Sequence, residues 1–271
     1  MTLWPSLETL PLIHGSMRDK HADQKVIKPF VHDDGQSKSL HFTIGELQSR
    51  MNLRNPDQLE VDYTLTMMGF LLLQPAPSRM AMIGLGGGSL AKFCYQQLSD
   101  CQITVIEINP HVIALRHEFL MPDDDDRFHI VEGDGAAFLA INSVPFDVLL
   151  VDGFDHEGQP PGLCSQQFYD DCFAALTPNG VLVVNLHHDD TDFPMWAERI
   201  KRSFAGNTVE VLSPEKSNCI VLATKGRFPS PRRINLSTSL SKLDKPARLQ
   251  LKAEFARIVW SMKDLDNTHG N

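Results

Sequence analysis

Four short apolar runs in the middle of the chain each stop at a glycine or a carboxylate, and this repeated ending constrains the fold more than any other feature. The runs cover 78–83, 102–106, 128–131 and 146–151, and they finish at Gly84, at Glu107, at Glu132-Gly133-Asp134-Gly135 and at Asp152-Gly153-Phe154-Asp155. Short apolar stretches of that length, β-branched in 102–106, read as buried strands, and helical segments such as Ser89 to Gln97 between them make the strands parallel. All four endings then share the carboxyl edge of one sheet, which is where an open α/β sheet binds ligands.

The string Ile83-Gly84-Leu85-Gly86-Gly87-Gly88-Ser89 sits between the first strand and its helix. Glycines at 84, 86 and 88 allow a sharp turn and a close ligand approach, and the helix that follows offers its N-terminal amides. A dinucleotide loop wants a further glycine for helix packing where this chain has Ser89, so the spacing leans away from a dinucleotide and toward an S-adenosyl ligand. A bare tight turn without ligand is the alternative. Glu107, roughly 20 residues beyond the glycines, stands where nucleotide folds hold a ribose diol; the alternative is a solvated carboxylate capping a helix near Pro110. Asp134 is placed to accept from an adenine amino group with Gly135 leaving room for the ring, or else to N-cap a helix over 136–141. The predicted adenosyl-binding set is therefore Gly84, Gly86, Gly87, Gly88, Glu107, Asp134 and Gly135. The predicted fold is a Rossmann-like, doubly wound sheet of the S-adenosylmethionine-dependent methyltransferase type.

Three regions organise the 271 residues. Residues 1–54 carry a strand, Asp-Gly turn and strand pattern (26–31 and 39–43) and predict a small β-rich extension. Residues 55–225 form the catalytic domain, opening with a helix over 56–73 that buries Leu59, Tyr63, Thr66, Met67 and Phe70. Residues 226–271 are a helical tail in which Leu249, Phe255, Ala256, Val259 and Trp260 supply apolar surface. A net charge of −9 argues against nucleic acid and suits a cationic small molecule. Five cysteines without a CxxC pair indicate neither a zinc site nor a disulfide framework, and they fit the cytoplasm. No apolar run approaches the ~20 residues a bilayer needs, so no membrane partner is expected. The run Asp123 to Asp126 lacks the spaced ligands of a cation loop, and no metal is expected.

In Gly84 to Lys92, Ile106-Glu107-Ile108, Val131 to Gly135, the stretch Phe146 to Asp155 and Phe168-Tyr169, the chain resembles the aminopropyltransferases, the spermidine synthase family, over roughly residues 55 to 190. The resemblance implies that the glycine loop, Glu107 and Asp134-Gly135 hold decarboxylated S-adenosylmethionine as a co-substrate, with no tightly bound cofactor. It implies that Asp152 is the base for the attacking amine and Asp155 its anchor, that Tyr63 lines the substrate pocket, and that Asn185 contacts donor or acceptor. Related enzymes are commonly oligomeric, so a homo-oligomer is compatible with it. Tyr63 could equally be a core residue, since aromatics at helical spacing usually pack.

The chemistry is coherent from the residues alone. A sulfonium carries its own leaving group, whereas an amine of reference pKa ~10.4 is protonated at neutral pH and needs a carboxylate to hold and deprotonate it. The chain departs from the family pattern at Gly87, where the family has an Asp that receives the aminopropyl ammonium; at His156, where a proline is usual; and at Ser213 to Asn218, in place of a Tyr-Pro segment. Intact S-adenosylmethionine with methyl transfer, and a non-catalytic adenosyl-ligand or polyamine binder, are the competing readings. His187 and His188, after the apolar run 181–186, lie near the same edge and belong to a polar loop or the acceptor wall.

Overall fold

A computed structural model describes residues 27–43, 47–155 and 158–268, with side chains to residue 262. Strands β1 (Phe30–Asp33), β2 (Ser37–His41) and β3 (Leu47–Asn52) form a small antiparallel sheet in that order. The β1–β2 turn is the expected one: Gly35 adopts φ +78°, and the Asp34 carboxylate accepts from the amides of Gln36 and Ser37 at 2.8 and 2.7 Å. The strand ends lie a few residues from the expected 26–31 and 39–43, and Val26 and His156 lie outside the described residues. Strand β3 has no period-2 apolar signal, because only Ser49 and Met51 turn inward.

The expected helix over 56–73 is much shorter. Helix α1 spans Asp62–Met67 and tightens into a 3-10 turn over Met68–Leu72. The backbone ahead of it is claimed from a distance: the Gln250 side chain donates to the Leu59 carbonyl (2.8 Å) and accepts from the Leu59 amide (3.4 Å), while Lys92 Nζ donates to the Pro56 carbonyl (2.8 Å). Groups taken by long-range partners cannot close helical rings.

There follow β4 (Arg79–Ile83), α2 (Ser89–Gln97), β5 (Gln102–Glu107), α3 (Pro110–Ile113), β6 (Phe128–Glu132), α4 (Gly135–Ile141), β7 (Phe146–Val151), α5 (Gln166–Ala174), β8 (Leu176–His187), α6 (Phe193–Ser203), β9 (Thr208–Leu212), β10 (Asn218–Thr224), α7 (Leu236–Leu240) and α8 (Lys245–Thr268). Seven strands make one sheet in the order β6-β5-β4-β7-β8-β10-β9. Strands β4 to β8 run parallel, and β10 is antiparallel to both neighbours. The order reverses between β4 and β7, so the crevice beyond those two strands is the switch point of a doubly wound sheet.

Alternation along the central strands divides the core between two faces. Met80, Met82, Val148, Leu150, Val181 and Val183 face α2, α7 and α8, whereas Ala81, Ile83, Leu149, Val151, Leu182 and Val184 face α4, α5 and α6. Helix α8 packs on α1 through Leu251, Phe255 and Ile258, and its Glu254 carboxylate accepts from the Thr66 hydroxyl. Leu249 and Trp260, expected to bury apolar surface, are instead 67 % and 66 % exposed, since they lie on the helix face opposite the seam. The small sheet is fastened behind the glycine loop by buried Lys92. Its ammonium donates to the carbonyls of Pro56 and Phe119, both at 2.8 Å, and meets Met51 Sδ at 2.9 Å; burial lowers its pKa to about 8.

Candidate active site

The glycine loop owes each glycine to a different neighbour. A Cβ at Gly84 (φ +94°) would lie 2.2 Å from the Asp152 carbonyl oxygen, so this glycine lets the ends of β4 and β7 meet; the Asp152 amide donates to the Ile83 carbonyl there at 2.9 Å. A Cβ at Gly86 would make only an ordinary contact, 4.0 Å from Ser49 Cβ, but its φ of +51° is in the left-handed region that L side chains avoid. At Gly87 a Cβ would lie 2.5 Å from Ser49 Oγ, and at Gly88, with φ +69° at the N-terminus of α2, it would lie 2.1 Å from Met121 Sδ.

Glu107 closes the loop from the next strand. One carboxylate oxygen accepts from the Leu85 amide (2.9 Å) and the other from the Asn109 amide (2.8 Å). The capping role near Pro110 falls to Asn109, whose side chain accepts from the His111 amide. Glu107 is therefore a buried group on the cavity wall, and burial raises its pKa against the pull of those amides.

Asp134 does N-cap α4: its Oδ1 accepts from the amides of Ala136 (2.7 Å) and Ala137 (3.3 Å), while the residue also lines the cavity. Gly135 is small because Ile83 demands it, a Cβ there lying 2.5 Å from Ile83 Cγ2.

Asp152 follows β7 and is gripped from two sides. Tyr63 Oη donates to its Oδ2 at 3.1 Å and Asn185 Nδ2 to its Oδ1 at 2.8 Å. Burial still raises its pKa above the ordinary carboxylate value, the two hydrogen bonds and His187 opposing. Burial and the Asp152 charge together push the Tyr63 phenol well up. Tyr63 is thus a cavity residue and not simply core. Asn185, expected to touch donor or acceptor, is 1 % exposed behind Asp152, its oxygen taken by Asn218 Nδ2 at 2.9 Å. Asp155 stands on the same wall as Asp152, on a loop pinched by paired backbone bonds to Gly158. Between them Phe154 stacks on His187 with ring centroids 4.4 Å apart.

These elements enclose a cavity of about 460 Å³. It gathers Gly84, Gly86, Glu107, Asp134, Gly135, Asp152, Asp155 and Tyr63; Gly87 lines a smaller adjoining cavity of about 30 Å³, and Gly88 lines neither. Among the described residues the main cavity has four carboxylates and no Lys, Arg or His on its wall. Sequence reading missed the contribution of the small sheet, Leu40, Phe42 and Gln48, and of the Pro160-Pro161 turn. Neither carries a chemical signature, and only tertiary packing brings them to the site.

Residues 62–193 match the spermine/spermidine synthase domain. A polyamine aminopropyltransferase of Neisseria meningitidis serogroup A is 36 % identical over 242 residues, 89 % of this chain and 90 % of the relative. Among solved structures, a probable spermidine synthase from Corynebacterium glutamicum superposes with a TM-score of 0.66 at 18 % identity, covering 79 % of this chain and 82 % of the other. A spermidine synthase in complex with the transition state analogue AdoDATO superposes with a TM-score of 0.56 at 20 % identity, covering 87 % and 88 %. With more than a third of the aligned residues identical along nine-tenths of such a relative, this chain belongs to the spermine/spermidine synthase family.

Proposed function

We propose that the chain transfers an aminopropyl group from decarboxylated S-adenosylmethionine to a polyamine acceptor. The observation that carries this reading is the cavity wall: it brings the carboxylates of Asp152 and Asp155 together with those of Glu107 and Asp134, a lining suited to a sulfonium donor and an ammonium-bearing acceptor. Its volume suits small-molecule ligands. The adenosine half lies along Gly84, Gly86, Asp134 and Gly135, with the ribose diol on Glu107, whose two oxygens each keep lone-pair capacity beyond one amide bond. The amine is held by Asp155 and attacks the carbon next to sulfur. The nitrogen lone pair forms the new C–N bond, the C–S pair withdraws onto sulfur, and methylthioadenosine leaves as a neutral thioether while Asp152 takes the amine proton. The raised pKa of Asp152 moves it toward the amine, as general-base catalysis requires.

The decarboxylated donor is favoured over the intact one because a methionine carboxylate next to the sulfonium would face the carboxylates of Asp152 and Asp155 on the cavity wall. The five cysteines are all free and buried, which supports a reducing compartment such as the cytoplasm. Incubation with each donor and a panel of amines, followed by mass spectrometry, tests the reading: methylthioadenosine with the decarboxylated donor supports it, and adenosylhomocysteine from the intact donor, or neither product, refutes it. Asp152→Asn should lower turnover by about 10²–10⁴-fold while methylthioadenosine binding persists; full activity in that variant removes Asp152 from the mechanism.

A further inference from the structure

Asp152 is the end of a chain of side chains that all donate in one direction. Ser217 Oγ donates to Asn218 Oδ1 (2.9 Å), Asn218 Nδ2 to Asn185 Oδ1 (2.9 Å), and Asn185 Nδ2 to Asp152 Oδ1 (2.8 Å). The register of β8 and β10 builds it: Asn218 pairs with His187 and Ile220 with Asn185, so Asn218 and Asn185 are diagonal neighbours on one face. Both are buried, at 8 % and 1 % exposure. The other hydrogen-bond donor to Asp152 is Tyr63, and the same turn bonds to the residue before it. Asp62, its neighbour, accepts from the Glu215 amide at 2.7 Å, and the turn itself is pinned to β8 by the His188 amide on the Ser217 carbonyl at 3.0 Å. The segment 213–218, where the family's Tyr-Pro segment is absent, thus bonds to one support of Asp152, Asn185, and to Asp62, the chain neighbour of the other.

We propose that Asn218 is a positioning residue for Asp152: by donating to Asn185 Oδ1 it fixes which end of the Asn185 amide faces the carboxylate. An amide is nearly the same shape either way round, and sterics alone would not choose. Turned over, Asn185 would present an oxygen to Asp152 and leave a buried carboxylate against an acceptor. Asn218 makes that orientation unfavourable, and the Ser217 hydroxyl completes the chain by donating to Asn218 Oδ1. Donors aligned head to tail also polarise one another, so the last link is strengthened by the first. The inference rests on the proposed role of Asp152 but concerns its surroundings, and it can be read without turnover.

The titratable groups that act on Asp152 are Tyr63 from α1, with Asp62 acting on Tyr63 in turn, and His187 from β8, while Asp155 stands on the same cavity wall. None of these changes in the variants proposed. Asn218→Leu removes the donor and frees the Asn185 amide; Asn218→Asp places an acceptor there and forces the amide over; Ser217→Ala removes only the outermost link. The acid limb of kcat/KM and the ¹³C carboxyl titration of Asp152, assigned by its loss in Asp152→Asn, should both move up in the order Ser217→Ala, Asn218→Leu, Asn218→Asp. A shift of about one pH unit is expected for Asn218→Leu, the size of one hydrogen bond to a charged group. In an Asn185→Ala background Asn218→Leu should add nothing, while Asn218→Asp keeps only the part of its shift due to its own charge. Unmoved titration in Asn218→Leu, or a shift of the same size without Asn185, overturns the inference. Absence of aminopropyl transfer by the unaltered protein would instead defeat the proposed function and leave the carboxyl titration to judge Asn218. Should the Asn218 variants not fold, Ser217→Ala on the exposed turn decides by the sign of its shift.

Discussion

Gly87→Ala should damage the site through a single contact. An added Cβ would lie 2.5 Å from Ser49 Oγ, 2.8 Å from Ser49 Cβ and 3.1 Å from Phe119 Cδ1. Gly87 does not adopt a left-handed φ, so alanine carries no backbone penalty and the whole cost is the overlap. Ser49 cannot swing aside, because its Cβ is fixed to β3, and that atom must retreat by about 0.6 Å to reach ordinary contact at 3.4 Å. Overpacking of this kind costs about 1–3 kcal/mol. Felt by the loop, it weakens nucleoside binding roughly 5–150-fold; felt by the fold, it lowers Tm by about 2–4 °C per kcal/mol. Calorimetric titration with methylthioadenosine and thermal melting should be run on Gly87→Ala, Ser49→Gly and the double variant. The double variant should recover most of the loss, giving a coupling of at least about 1 kcal/mol. Ser49→Ala should rescue only in part, since it removes Oγ and keeps the Cβ at 2.8 Å. Strictly additive losses in the double variant would refute the steric account of why glycine stands at this position.

Two further outcomes follow from the geometry. Because burial raises Asp152, the folded protein binds this proton more tightly than the unfolded chain, so the stability it contributes is greatest below the unfolded value and falls as pH rises through the folded one. Asp152→Asn removes that fall, and its Tm should exceed that of the unaltered protein near pH 7, the gap closing toward the unfolded value of about 3.9; equal melting curves at all pH would contradict it. Asp134→Ala should cost about 1 kcal/mol by uncapping α4, whereas Asp134→Asn, itself a good cap, should hold stability within a few tenths; denaturant titration separates the two, and an Asn variant as unstable as Ala would show that capping is not what Asp134 does for the fold.

What could be read without coordinates was what depends on neighbours in the chain. The apolar runs, the glycines and the carboxylates at strand ends are local signals, and a parallel sheet with right-handed crossovers has few ways to arrange them, so Gly84, Gly86, Glu107, Asp134, Asp152 and Asp155 were bound to reach one edge. What tertiary structure decided was everything set by contacts distant in sequence. The helix expected over 56–73 lost its first turns because Gln250 and Lys92 claim its backbone. Gly87 and Gly88 are glycines on account of Ser49 and Met121, residues that no periodicity connects to the loop. Asn185 is held behind the acid, off the cavity lining, because β10 brings Asn218 across to its amide. Hydrophobic period and turn chemistry are written into a few consecutive residues, whereas the orientation of a buried amide or the need for a missing Cβ depends on which atoms arrive from elsewhere when the chain packs.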